Sequence, residues 1–338
     1  MKKITIIVPA YNASEYIEQC IENILKIPYN NIELIVVNDG STDDTLKKIS
    51  QYKNEKLIVV NQKNSGVSVA RNKGLLKATG EYVTFFDVDD KISPELYGEL
   101  FDSLDYNHQL YMFKYDIYEN EKISDIELPL QPGKYDRKEI LVLRNNLYDI
   151  KFSKNYSAKY FGGKVYQYLY SREFLLENNI SFPAGIHFAE DCIFCFICFN
   201  FAQNLEIIDI CPYHYMVYND SASHKLRDNF FDELVDSFNV ACKIAGEELA
   251  NKNEIYYFYA RETIRRIAVF GILNNKHKKS VGMIKNVIYN SELKIAIDNL
   301  NFSNWTKDEK LLLLLCKMKA SVFIYLLYYI KMHVNMFK

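Results

Sequence analysis

Nine residues, Tyr82-Val83-Thr84-Phe85-Phe86-Asp87-Val88-Asp89-Asp90, constrain this chain more than any other stretch. The first five are β-branched or aromatic, the composition of a strand covered on both faces. The run then ends in three carboxylates within four positions. Clustered carboxylates repel one another and are rarely buried without partners. A hard divalent cation such as Mg²⁺ or Mn²⁺, shared with substrate phosphates, is one partner that would gather them. A solvated turn, with Ser93-Pro94-Glu95 starting the next helix, is the plainer alternative.

The preceding residues supply a frame for that strand. Ile4 to Val8 is an apolar run closed by Pro9, followed by a helical repeat at Ile17, Cys20, Ile21, Ile24 and Leu25. Asn12 with Glu15 three positions later has the spacing of a capping box. Ile32 to Val37 reads as a second strand closed by Asn38-Asp39-Gly40-Ser41, and Leu57 to Val60 as a third. Ser65-Gly66 opens a helix that carries Arg71. Strands alternating with helices predict βαβ units and a mostly parallel sheet flanked by helices. Ligands of such sheets bind beyond the carboxyl ends of the strands. The unusual polar residues (Tyr11 and Asn12, Asp39, Asn64 to Arg71, Asp87 to Asp90) all fall at those ends. G-x-G-x-x-G and G-x-x-x-x-G-K-[ST] are both absent from the sequence, which disfavours a dinucleotide fold and a P-loop.

Further along, Leu110 to Ile117 reads as a strand, residues 119–139 as a loop or hairpin, and Val165 to Tyr170 as an apolar-aromatic run. Glu190-Asp191 precedes the apolar helix Cys192 to Phe201, whose Cys192, Cys195 and Cys198 fit one buried face better than a cluster motif. From about Asp228 onward the chain reads as helices. Length and pattern divide it into residues 1–105, 106–225 and 226–338, the last a helical region.

A net charge of −2 points to no nucleic-acid partner. Seven cysteines and the absence of a leader-like start suit a reducing cytoplasm. The tail from Leu311 to Ile330 is too briefly apolar to span a bilayer and interleaves aromatics with lysines. It suits a membrane surface, its own domain, or another subunit in an oligomer; these readings stay open.

Taken in order, Val8-Pro9-Ala10-Tyr11-Asn12, Val37-Asn38-Asp39-Gly40-Ser41, Asn64-Ser65-Gly66 through Arg71-Asn72-Lys73-Gly74, Phe85-Phe86-Asp87-Val88-Asp89-Asp90, Lys164-Val165-Tyr166 and Phe188-Ala189-Glu190-Asp191 resemble the motifs of family 2 glycosyltransferases, inverting enzymes of the GT-A fold and here of the bacterial surface-glycan type. The resemblance spans about residues 4–225 and implies that 1–105 would be the nucleotide-sugar-binding half and 106–225 the acceptor-binding half of one GT-A domain. It implies a hexosyl- or N-acetylhexosaminyltransferase with a UDP-sugar donor (dTDP-sugar is the alternative) and a glycan or lipid-linked glycan acceptor in polysaccharide synthesis. Asp39 would accept the uracil imide proton, with Pro9 and Tyr11 beside the base. Arg71 would reach the nucleotide or pyrophosphate. Asp87 and Val88 would flank the ribose or a metal-bound water, Asp89 would bind Mn²⁺ or Mg²⁺, and Asp191 would be the base. Asp90, Glu190, Lys164, His214 and Ser223 are secondary candidates, Ser223 in a loop with His224 and Lys225 that closes over the phosphates. Such an enzyme would work in the cytoplasm, peripherally at the inner face of the plasma membrane. A catalytically silent nucleotide-sugar-binding module and a sugar nucleotidyltransferase are the alternatives. The first would not need Asp191; the second would carry a Gly-rich basic loop where Ala10-Tyr11-Asn12-Ala13 stands.

Overall fold

The structure is a computed structural model that describes residues 1–119, 122–125, 128, 130–147, 163–186, 188–217, 230–245, 252–299 and 307–336. The chain divides into two units, Met1–Leu147 with Phe152–Ser221, and Tyr148–Lys151 with Ala222–Lys338.

The first unit is built on one sheet. β1 (Ile4–Ala10), β2 (Ile32–Asp39), β3 (Leu57–Gln62) and β4 (Tyr82–Phe85) form a parallel block in the order β3-β2-β1-β4. Every residue of β1, β2 and β4 is buried, which explains why their sequences lack polar alternation. Between these strands run α1 (Ile17–Leu25), α2 (Thr45–Ile49) and α3 (Val67–Lys77). Gly74 lets α3 lie against β1: a Cβ there would meet Ile7 Cγ2 at 2.4 Å.

Beyond β4 come β5 (Lys91–Ile92), α4 (Pro94–Ser103), β6 (Leu110–Glu119), the short strands β7 (Lys122–Asp125) and β8 (Gly133–Asp136), and α5 (Arg137–Asn146). A 3₁₀ turn at Val165–Gln167 leads into β9 (Tyr168–Ser171), then α6 (Arg172–Glu177), α7 (Glu190–Phe201) and β10 (Asn204–Met216). The full order is β3-β2-β1-β4-β9-β6-β10-β5. β9 enters antiparallel to both β4 and β6, so the sheet is mixed in its second half. The Val165–Tyr170 run is a 3₁₀ turn in its first half and the buried strand β9 in its second; apolar patterning carries no information on strand direction, which pairing decides. The sheet continues across residue 105, so the two expected halves share one core.

The capping box expected at Asn12 and Glu15 does not form. α1 starts at Ile17 after Tyr16, without a side-chain cap. Asn12 sits in the left-handed region at φ 48° and accepts from Thr42 N at 2.8 Å, so its side chain closes a loop instead of a helix. Residues 119–139 hold β7 and β8, and α5 carries a true capping box between Asp136 and Glu139.

The second unit is helical: α8 (Phe230–Ala245), α9 (Lys252–Leu273), α10 (His277–Ile288), α11 (Ser291–Asn299), α12 (Lys307–Lys317) and α13 (Ser321–Met336). Its core joins Ile264, Ile267, Ile284, Leu312 and Ile324. The buried Glu309 accepts from Arg261 Nη2 at 3.0 Å. Among the described residues no helix is long and apolar enough to cross a membrane.

Candidate active site

Loops at the carboxyl ends of β1, β2, β3 and β4 converge, and their own side chains lace them together. Ser41 Oγ accepts from Asn12 N at 3.0 Å and Thr45 Oγ1 from Ala13 N at 2.8 Å. Asp43 accepts from Ser14 N and Thr45 N; although burial opposes ionisation, these bonds and the Thr45 hydroxyl draw its pKa down to about 2. Of the two residues expected beside a base, Pro9 is buried within β1 and Tyr11 is half exposed, so Tyr11 alone offers a ring face.

Asp39 ends β2 and is buried. One oxygen accepts from Gln62 Nε2 at 2.7 Å and Ser65 N at 2.8 Å; the other accepts from Gly66 N at 2.9 Å. The carboxylate therefore fixes the turn into α3, where Gly66 takes φ 90°. A carboxylate offers about four lone-pair sites, so the oxygen facing Gly66 retains acceptor capacity.

The three acidic residues after β4 do not share one environment. Asp87 Oδ1 accepts from Arg71 Nη2 at 2.8 Å. Asp90 is held by the Tyr213 hydroxyl at 2.6 Å and by Met216 N at 2.8 Å, both from β10. The same Tyr213 oxygen accepts from Asp87 N at 3.1 Å. Burial, then the Asp87 charge, push the Asp90 pKa well above the carboxylate range. The same two causes raise Asp89 to about 6. Asp90 is thus the group that ties the acidic turn to β10. The Val88 side chain packs against the core cluster.

Arg71, which the resemblance assigns to the nucleotide or pyrophosphate, is buried with its guanidinium between two acids: Nη1 donates to Glu190 Oε1 at 3.2 Å while Nη2 holds Asp87. Burial opposes its charge, but Asp87, Glu190 and Asp191 outweigh that and keep its pKa above the ordinary value. Phe182 lies under the guanidinium at 5.2 Å.

Glu190 and Asp191 open α7. The residue before them, Ala189, adopts the left-handed conformation at φ 56°, a cost of about 1 kcal/mol for a residue with a Cβ. Strain of this kind persists where surroundings enforce it, often beside functional groups. Burial and the neighbouring Asp191 raise the Glu190 pKa. Asp191 accepts from Cys192 N at 2.8 Å and lies 3.8 Å from Lys164 Nζ. Asp191 keeps the Lys164 ammonium charged against burial.

His214 does not stand ready for a metal. Nε2 is 2.7 Å from Ser93 Oγ and Nδ1 is 2.8 Å from Asp116 Oδ1, so both ring nitrogens are engaged. Those bonds position β10 against β5 and β6. Ser223, with His224 and Lys225, lies outside the described residues. Cys192, Cys195 and Cys198 are all buried on α7, as their apolar spacing predicts. Tyr213 and Asp116 went unrecognised in the sequence: each is one more residue of an aromatic-rich strand until the fold brings it to the acidic turn or to His214. The alternation Tyr213-His214-Tyr215 was the one available signal.

A divalent cation suits the acidic turn. Arg71 serves one Asp87 oxygen, and Asp89 is left desolvated beside a second carboxylate with its pKa raised. Adding a cation relieves that repulsion.

The glycosyl transferase family 2 model matches residues 5–161. The uncharacterized glycosyltransferase EpsJ of Bacillus subtilis is 26% identical over 335 residues, covering 96% of this chain and 95% of that protein. The poly(ribitol-phosphate) beta-N-acetylglucosaminyltransferase TarS of Staphylococcus aureus is 26% identical over 265 residues, covering 75% of this chain and 43% of TarS. The crystal structure of S. aureus TarS 1-349 in complex with UDP-GlcNAc superposes with a TM-score of 0.64 at 20% identity, over 96% of this chain and 89% of that one; it shares the GT-A fold seen here. The ordered motifs, the sheet they build and these matches agree: the chain is a glycosyltransferase whose residues 5–161 match glycosyl transferase family 2.

Proposed function

We propose that this glycosyltransferase moves a sugar from a UDP-sugar to a hydroxyl of a glycan or lipid-linked glycan, with inversion, during synthesis of a cell-surface polymer. The observation that carries the reading is Arg71. One guanidinium binds Asp87 of the acidic turn and Glu190 of the α7 start, so the donor-side and base-side acids belong to one cluster within the first unit. The TarS relatives, named for transfer of N-acetylglucosamine to poly(ribitol-phosphate), and the solved UDP-GlcNAc complex support a UDP-sugar donor and a surface-polymer acceptor.

In this reading Tyr11 offers its exposed ring to the base and Asp39 accepts the imide proton with its remaining lone pairs. Asp89, with Asp87 beside it, would hold Mn²⁺ or Mg²⁺. Bound there, the ion would supply positive charge against the departing diphosphate. Asp191 takes the proton of the acceptor hydroxyl as its oxygen attacks the anomeric carbon. Lys164 places its ammonium 3.8 Å from Asp191, and Arg71 pins Glu190, so that the two acids are not interchangeable. The reaction takes place in the cytoplasm.

The test is a screen of UDP-sugars for slow hydrolysis, with and without Mn²⁺, followed by assignment of the product anomer by NMR. Turnover of at least one UDP-sugar is expected, with the opposite anomeric configuration in the product. Asp191→Asn should lower kcat at least about a hundredfold, the scale of a lost general base. Intact turnover in that variant would remove the base assignment.

A further inference from the structure

Eight of the twenty exposed large apolar residues among those described fall between Leu311 and Ile330 in the second unit. Solvent-exposed apolar residues scattered singly are ordinary; gathered ones mark a contact. On α13 they follow helical geometry: Val322, Phe323, Leu326 and Ile330 lie on one face and are 43–64% exposed. Ile324 and Tyr325 turn the other way into the core. α12 repeats the pattern, with Leu311 and Leu314 outward and Leu312, Leu313 and Cys316 inward. Each helix therefore has one face committed to its own unit and a second apolar face.

The charge beside these faces is one-sided. Residues 307–338 hold six lysines and two acids, in a chain whose net charge is −2. Both acids are paired, Asp308 with Lys331 at 3.0 Å and the buried Glu309 with Arg261, while Lys317 lies 3.7 Å from Asp298 and Lys319 over the Tyr289 ring. At 16 residues α13 is about 24 Å long, and no described helix can cross a bilayer. An apolar helix face bordered by lysines, on a helix that cannot span, is the pattern of a segment lying in the membrane interface. A second copy of the chain fits less well, because a two-fold axis would set the same lysines opposite one another.

We propose that the apolar faces of α12 and α13 bind an anionic phospholipid surface, with Phe323 and Ile330 inserted and the flanking lysines at the headgroups. This docking surface is independent of the transfer chemistry, and its test reads binding alone.

The experiment is flotation of the full chain with vesicles of phosphatidylcholine alone or mixed with phosphatidylglycerol. The protein should float with the mixed vesicles and remain behind with the neutral ones, and salt should weaken binding. Phe323→Glu with Ile330→Glu should weaken it at least about tenfold at unchanged melting temperature. Lys319→Gln should weaken it about fivefold. UDP-sugar hydrolysis by the double variant should be unchanged, so a failure of lipid binding stands apart from a failure of the enzymatic reading. Absence of wild-type binding, or full binding by the double variant, overturns the proposal. So does a wild-type dimer that the double variant dissolves without any lipid dependence, which would make the face a subunit contact.

Discussion

A single guanidinium joins the two acidic segments of the candidate active site. Arg71 is a planar fork, and its two arms reach acids that are 103 positions apart in the sequence, Asp87 and Glu190. Lysine has the charge without the fork. Arg71→Lys should keep one partner, release the other, and cost about 1.5–3 kcal/mol, the scale of one charge-assisted hydrogen bond. Thermal melts would read that loss, and steady-state kinetics should show kcat falling more than KM rises. Glu33 is a residue-scale test away from the site. Burial disfavours its charge, but bonds from Lys3 Nζ, Thr79 and Thr5 outweigh that and lower its pKa from 4.5 to about 2. A depressed carboxylate stabilises the fold fully above its unfolded pKa and loses that contribution as pH falls through the folded one. Glu33→Gln should therefore cost about 3 kcal/mol at pH 7, with the difference from wild type vanishing between pH 4.5 and 2 in denaturant titrations.

At the scale of elements, the acidic turn owes its shape to β10. Tyr213 donates to Asp90, accepts from Asp87 N, and stacks on Tyr166 with ring centroids 4.2 Å apart. Tyr213→Phe keeps the stack and strips the hydroxyl from two half-buried partners. The expected cost is about 1–3 kcal/mol, read by chemical denaturation, together with a weaker response to UDP and Mn²⁺. The α3–β1 contact is a second element-scale case. Gly74→Ala would press a methyl group into Ile7 and should destabilise by about 1–3 kcal/mol, the usual cost of overpacking.

For the whole molecule, the proposed donor and ion would be ligands of the folded state, and binding of both would raise the melting temperature. At a hundred times the dissociation constant the gain is about 2.7 kcal/mol. UDP with Mn²⁺ should shift the melt upward by several degrees. Asp89→Asn should abolish the Mn²⁺-dependent part and leave the effect of UDP alone.

The sequence by itself determined the parallel block, because its three covered strands, β1, β2 and β4, need uninterrupted apolar runs and those runs are local. It also located the rim on which Tyr11, Asp39 and Asp87 lie, because strand ends are read from the same runs; Asp191, at the start of α7, was pointed to by the family resemblance. It determined the buried cysteine face of α7 for a similar reason: helical spacing is local information. The partners of the polar groups were settled by tertiary structure alone. Arg71 turned inward, Asp90 became a tie to β10, His214 had both nitrogens taken, and β9 entered antiparallel. Each of these depends on contacts between residues 16 to 126 positions apart. A carboxylate's role follows from which donor reaches it, and no local pattern of residue types records that distance.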